Sequence, residues 1–214
     1  MPILATVFLH LSKRFWVLLG ALIVLLSVGP LQSFAAPPEI RTVGPVIYVA
    51  DNLDEKDNLG YCIDTVGRGL SDRIHLHSCK PRGGDVEFSY DVKTQQIKSA
   101  TFENLCVELR TKKAIDHAAD TAKSEDKDQK TQQEFKLVRC RNKMMQRFSY
   151  NEVSNQFHLT GADNFCLVAG SQSRAAGPFM SRNLELAHCV NIRPEYKTWT
   201  IQELKTSDIK VPEC

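Results

Sequence analysis

Residues 61–90 read YCIDTVGRGLSDRIHLHSCKPRGGDVEFSY, and this stretch decides the fold because its frame returns twice. In each pass a Cys opens a segment of alternating apolar residues. A second Cys closes it, and an aromatic follows eight to ten residues later. The three sets are Cys62, Cys79 and Phe88; Cys106, Cys140 and Phe148; and Cys166, Cys189 and Trp199. Spacing between copies is also held, with eighteen residues from Phe88 to Cys106 and eighteen from Phe148 to Cys166. Each first Cys is approached through Asn and an apolar residue, at Asn58-Leu59, Asn104-Leu105 and Asn164-Phe165. Three copies in register make internal repetition the first fact about this chain.

Apolar residues alternate with period two within the repeats, which is the signature of strands with one buried face. The pattern predicts strands at 61–65, 74–79, 86–91 and 96–100 in the first repeat. It predicts 105–110, 134–140, 147–151 and 156–160 in the second, and 165–170, 184–189, 197–202 and 208–211 in the third. Turn residues separate them, as at Gly67-Arg68-Gly69, Arg82-Gly83-Gly84 and Gly161-Ala162-Asp163. A short strand pair cannot close off its own apolar face, so the three units must share one core. Four strands repeated three times imply an all-β chain arranged as a pseudo-threefold barrel with hairpin caps, a β-trefoil. Ile63, Val107 and Leu167, with Leu76, Leu137 and Leu186, are the expected inward residues. Phe88, Phe148 and Trp199 are expected at equivalent places near the base of the barrel.

The rest of the chain divides around this unit. Lys13 and Arg14 precede an apolar run from Phe15 to Gly29, and Ser33-Phe34-Ala35 is a small-x-small cleavage signature. Residues 1–35 are therefore read as a secretory signal peptide, with an uncleaved N-terminal membrane anchor as the alternative. The mature protein is expected outside the cell or in a periplasm. Residues 36–57 form an N-terminal arm in which Val46-Ile47-Tyr48-Val49 is a candidate strand and Asp51 to Asp57 an acidic, solvated linker. The trefoil domain spans 58–214, with repeats at about 58–103, 104–163 and 164–214. Residues 111–133 interrupt the second repeat with a highly charged stretch that has almost nothing to bury, and are read as a solvated insertion.

All seven Cys lie beyond the signal, as an oxidising compartment requires. The repeat selects one connectivity among many: Cys62–Cys79, Cys106–Cys140 and Cys166–Cys189. Cys214 is left over, and two readings stay open for it: a free terminal thiol, or an intermolecular disulfide to a partner or a second copy.

Several residues together resemble the ricin B-type lectin family. They are Cys62-Ile63-Asp64, Cys79 with Gly83-Gly84-Asp85-Val86-Glu87-Phe88-Ser89-Tyr90, and Gln146-Arg147-Phe148. In that family each repeat opens with Cys-apolar-Asp and closes with Gln-x-Trp or Gln-x-Phe. The first repeat is most similar to the lectin domains attached to polypeptide N-acetylgalactosaminyltransferases, which also place disulfides within repeats. Only Gln146 keeps the closing Gln; Val86 and Lys197 stand in its other two places. That Gln ties a repeat together by hydrogen bonds.

The resemblance implies a sugar site. A carboxylate accepts two hydroxyl hydrogen bonds at once, and a flat ring beneath the sugar's apolar face adds contact area. Matched residue by residue, the first repeat supplies Asp64 as carboxylate, His77 as platform, His75 as the polar neighbour, and Asp85 in place of Asn. The second supplies Glu108, Lys136, Val138 and Met145, a weaker set because Val138 is no platform. The third supplies Val168, Glu185, Ala187 and Tyr196, and has no carboxylate in the key place. His75 and His77 flank Leu76 on a strand, so both are expected to face outward. The string His75-x-His77-x-Cys79 also admits a zinc reading, set aside because Cys79 is assigned to a disulfide.

The expected function is that of a secreted lectin for galactose- or N-acetylgalactosamine-type glycans, working through a shallow site in repeat one. Its partners would be glycans or glycoproteins, with no cofactor and no metal. The alternative is a degenerate trefoil serving as a protein-interaction module, or as the binding subunit of a toxin-like or enzyme complex. A net charge of +2 with no basic, aromatic-interleaved stripe argues against a nucleic-acid partner. An enzyme is not expected. There is no Gly-x-Ser-x-Gly elbow, no His-Glu-x-x-His helix and no phosphate-cradling Gly loop, and nothing marks out a glycosidase pair of carboxylates.

Overall fold

A computed structural model describes residues 36–67, 69–112 and 132–204, and twelve strands lie among these described residues. They are β1 (Val46–Val49), β2 (Tyr61–Thr65), β3 (Ile74–Ser78), β4 (Phe88–Asp91), β5 (Gln96–Ser99) and β6 (Leu105–Lys112). The second half adds β7 (Gln132–Arg139), β8 (Phe148–Asn151), β9 (Gln156–Leu159), β10 (Ala162–Ala176), β11 (Phe179–His188) and β12 (Trp199–Gln202). The only helical pieces among the described residues are short 3-10 turns. Those at Gly84–Val86, Met144–Gln146 and Pro194–Tyr196 lie just ahead of the three repeat aromatics.

Six strands close a barrel. Antiparallel ladders join β12 to β1, β4 to β5 and β8 to β9. The three remaining seams are each pinned by one equivalent hydrogen bond: Phe88 N to Pro45 O at 2.9 Å, Phe148 N to Gln95 O at 2.7 Å, and Trp199 N to Asn155 O at 2.8 Å. The hairpins β2–β3, β6–β7 and β10–β11 supply the caps. This is the β-trefoil that the repeat implied. The expected inward residues Ile63, Leu76, Val107, Leu137, Leu167 and Leu186 all belong to one buried cluster, with Phe88, Phe148 and Trp199. Burying each aromatic removes 150–250 Å² from water, a stabilisation of about 4–6 kcal/mol before ordering costs. The three disulfides join Cys62–Cys79, Cys106–Cys140 and Cys166–Cys189, one within each repeat.

Three local expectations are corrected. First, β1 is part of the barrel and not of an arm, because its ladder with β12 closes the ring. Secondly, the acidic stretch 51–57 is solvated only in part: Asp54, Lys56 and Asp57 are exposed, but the stretch is tied down at two carboxylates. Glu55 is buried, and its carboxylate accepts the backbone N–H of Asp57 and of Leu59 and the Ser78 hydroxyl. Asp54 accepts from the Tyr61 hydroxyl at 2.8 Å and bonds Arg182 and Ser173. Thirdly, the hairpin of repeat three is far longer than its apolar pattern. β10 and β11 stay paired to Ala176 and Phe179 across a register shift between Ala169 and Ser173, and turn at Gly177, whose φ of 64° suits glycine.

The charged insertion is shorter than expected at both ends, since β6 runs to Lys112 and β7 starts at Gln132. The leader at 1–35, residues 113–131, the strand expected at 208–211 and Cys214 lie outside the described residues. Among the described residues no helix is long and apolar enough to cross a membrane.

Candidate functional site

Register brings the repeat-one candidates together. On the β2–β3 ladder Asp64 stands opposite His75 and Cys62 opposite His77, so carboxylate and both imidazoles share one face. Ile63 and Leu76, directly paired, occupy the other face and enter the core. Asp85 reaches the same cluster through a residue that sequence reasoning missed. Lys80 Nζ lies 3.0 Å from Asp64 Oδ2 and 2.7 Å from Asp85 Oδ2. The position directly after the second Cys was the available signal, since Arg141 follows Cys140 in the same way.

The expected outward histidines are not exposed. His75 is 8% and His77 9% accessible, and Asp64 is fully buried. The cause is the long hairpin: β11 pairs with the free edge of β3, setting Ser181 against His77 and Arg182 against Leu76. At its tip Phe179 meets the His77 ring edge-on, with centroids 5.5 Å apart. His77 therefore already carries a ring of the protein's own.

Electrostatics in this cluster follow from burial. Loss of water pushes Asp64 up to about 7 despite the pull of Lys80, and pushes His75 down to about 4, so the imidazole is neutral. His77 is lowered for the same reason. Burial disfavours charge on Lys80 too, but its two carboxylates outweigh that and raise its pKa. The Lys80 ammonium pairs with Asp64 Oδ2, so that oxygen has a charged partner. Asp64 Oδ1 and His75 Nε2 are buried with no hydrogen-bond partner. Polar atoms so placed are rare, and each calls for an explanation.

In repeat two Glu108 is almost fully buried and committed to structure. Its carboxylate accepts from Gln146 Nε2 at 2.6 Å and pairs with Arg110. Gln146, also buried, donates to Arg139 O at 3.1 Å and accepts the Arg141 N–H at 2.7 Å. The closing Gln thus ties strands together as the resemblance implied. Lys136, opposite Glu108 on the ladder, is bonded to Asp72 and Glu134, and Met145 is exposed. In repeat three Val168 is buried in the carboxylate position and Glu185 is exposed. A different cation governs that region. Arg182, 2% accessible, donates to Gly170 O at 2.6 Å, bonds Asp54, and lies over the Tyr61 ring at 5.0 Å. Burial opposes ionisation of Asp54, but hydrogen bonds from Ser173, Arg182 and Tyr61 hold it down at about 2.

His75, His77 and Cys79 do not form a metal set, since Cys79 is in a disulfide. His158 does lie close to Cys166 and Cys189, with all three ligand atoms within 4.8 Å. The two sulfurs are bonded to each other, so no thiolate is available there.

No protein-family model matches the chain, and no curated protein does. Among solved structures it is similar to GalNAc-T7, in a crystal structure with UDP, GalNAc and Mn2+, at a TM-score of 0.43 and 16% identity. The likeness covers 78% of this chain and 23% of that one.

Proposed function

We propose that this protein is a secreted carbohydrate-binding protein that takes a galactose- or N-acetylgalactosamine-type sugar at repeat one. The observation that carries the reading is a pair of buried polar atoms without a hydrogen-bond partner, Asp64 Oδ1 and His75 Nε2, beside an Asp64 Oδ2 held by Lys80. Vicinal sugar hydroxyls would donate to the two carboxylate oxygens while a third group engages the neutral imidazole. Phe179, half-buried at the hairpin tip, is the side chain that must move aside for a sugar to enter, and it then offers an apolar ring beside His77. Three disulfides fit export to an oxidising compartment. One such site binds weakly, at about millimolar Kd, or about −4 kcal/mol.

A glycan array with the mature chain, followed by titration calorimetry, tests this. Binding of neutral galactosides that disappears in Asp64→Asn supports the reading. Silence across the array at high protein concentration, or unchanged binding in Asp64→Asn, ends it.

A second reading, a protein-interaction module, draws on the outer edge of β10. Among the described residues Ser173–Ala176 pair only with β11, so that edge is open to strand addition. It gains if the array is silent.

A further inference from the structure

Repeat two holds a cleft that the sugar reading does not use. It has a volume of about 490 Å³ and lies between the β4–β5 turn and the segment that follows Cys140. That is within the usual range of small-ligand sites, about 300–1,000 Å³. Lys93, Arg141 and Arg147 line it, with the polar Thr94, Gln95 and Asn142, and no carboxylate is among its lining residues.

Its frame is rigid. Cys140 is fixed by the disulfide to Cys106, and Gln96 Nε2 donates to Arg141 O at 2.9 Å. Gln95 O accepts the Phe148 N–H, and Arg147 O accepts the Thr160 N–H at 3.0 Å. The cations are held by backbone, and their charged heads are left free. Among the described residues none of the three is in an ion pair, and Arg147 Nε is buried without any hydrogen-bond partner. Three like charges around one cleft repel, and a guanidinium nitrogen shielded from water without an acceptor is costly. An anion in the cleft would relieve the repulsion.

The internal threefold provides a control. The seam hydrogen bonds make Val43, Lys93 and Val153 equivalent, and likewise Glu87, Arg147 and Thr198, each just before its repeat aromatic. After the second Cys stand Lys80, Arg141 and Val190. Only repeat two has a cation at all three places, so the basic cleft is not a requirement of the fold. A smaller cavity of about 130 Å³ shares Arg141 and adds Arg110, Arg139 and Lys143, with one carboxylate, Glu108, that is already taken by Arg110 and Gln146.

We propose that this cleft binds a sulfated oligosaccharide, with Arg141, Arg147 and Lys93 on its sulfate groups and Thr94, Gln95 and Asn142 on its hydroxyls. Arginine forks match the geometry of tetrahedral oxyanions, and the neutral polar side chains suit a sugar ring. Nucleic acid is disfavoured because no aromatic lines the cleft to stack on a base. A lone inorganic anion would leave most of the cleft and its neighbour unused. The site is independent of the repeat-one reading.

Titration calorimetry of the mature chain with a sulfated heparin tetrasaccharide tests the proposal, with its desulfated form, sodium sulfate and a single-stranded oligonucleotide as comparators. Binding of the sulfated sugar should exceed each comparator by about tenfold or more and weaken as salt screens it. The pair Lys93→Gln and Arg141→Gln, both exposed, should fold normally and lose about tenfold in affinity. Adding Arg147→Ala should lower it further. Arg41→Gln with Arg174→Gln, which removes equal charge elsewhere, and Asp64→Asn should leave it unchanged. Equal binding of the desulfated sugar, of sulfate ion or of the oligonucleotide overturns the proposal, as does an equal loss in the distant charge control.

Discussion

Repeats one and two place a carboxylate at the same point of their cap hairpins, Asp64 and Glu108, and then treat charge in opposite ways. In repeat one the following cation turns inward: Lys80 joins Asp64 and Asp85 in a sealed cluster that balances itself. In repeat two Glu108 is taken by Gln146 and Arg110, and Arg141 is left facing a cleft with Arg147 and Lys93. One scaffold thus carries a buried acidic cluster with unpartnered acceptors and an open basic cleft with unpartnered donors. The difference teaches that a repeated fold constrains where a charge stands but not which way it is neutralised.

The comparison breaks most directly on the lysine. Lys80→Met leaves two buried carboxylates without their cation and should cost about 3–5 kcal/mol of unfolding free energy. The counterpart Arg141→Met removes an exposed side chain that is in no ion pair among the described residues, and should change stability by under about 0.5 kcal/mol. Urea unfolding of the two variants measures both. Equal costs would show that the inward and outward arrangements do not differ in kind.

A somewhat smaller effect sharpens the repeat-two side. Gln146→Ala strips partners from the buried Glu108 and from the Arg141 N–H, and should cost about 2–3 kcal/mol. It should also loosen the segment bearing Arg141, seen as faster amide exchange at Arg141. Unchanged exchange there would mean that the Cys106–Cys140 disulfide positions the cation alone.

How much of this could be read from the sequence depended on how local the cause was. The Cys pairs, the period-two strands and the core residues each follow from neighbours on one or two strands, and the structure keeps those that fall among the described residues. The anchoring of Asp54 was not legible because its partners, Ser173 and Arg182, lie 119 and 128 residues away. The long hairpin escaped because Gly170 to Pro178 is polar and rich in small residues. Its outer ladder is imposed by tertiary pairing of β11 with β3, which overrides weak strand propensity. That same pairing buried the two histidines, so misjudging one hairpin misjudged the exposure of the site. At the site the shared face of Asp64, His75 and His77 was legible from alternation. Lys80 was not, because which of many lysines turns inward is decided by packing.

The smallest expected signal is in the unmodified protein, where opposed titrations partly offset each other. Asp64 rises from 3.8 unfolded to about 7 folded, so between those values the folded state holds the extra proton. Its contribution is full below about pH 4 and is lost as pH climbs to about 7. His75 falls from 6.5 to about 4, so in that window the unfolded state holds the extra proton, and stability is lost as pH drops. At 1.36 kcal/mol per pKa unit the two terms are each at most about 3–4 kcal/mol, with opposite slopes. His77, lowered for the same reason, adds to the His75 slope, so between about pH 4 and 6.5 the opposed slopes offset each other only in part. Each variant should expose the other's slope: Asp64→Asn growing more stable as pH rises through the window, His75→Gln less stable. Urea midpoints every half pH unit would record it. Repeat two supplies the reference, since Arg141→Gln removes no buried titrating group and should follow the unmodified curve. Parallel curves for all the variants would mean that the Asp64 cluster is open to water and balanced by solvent rather than by Lys80.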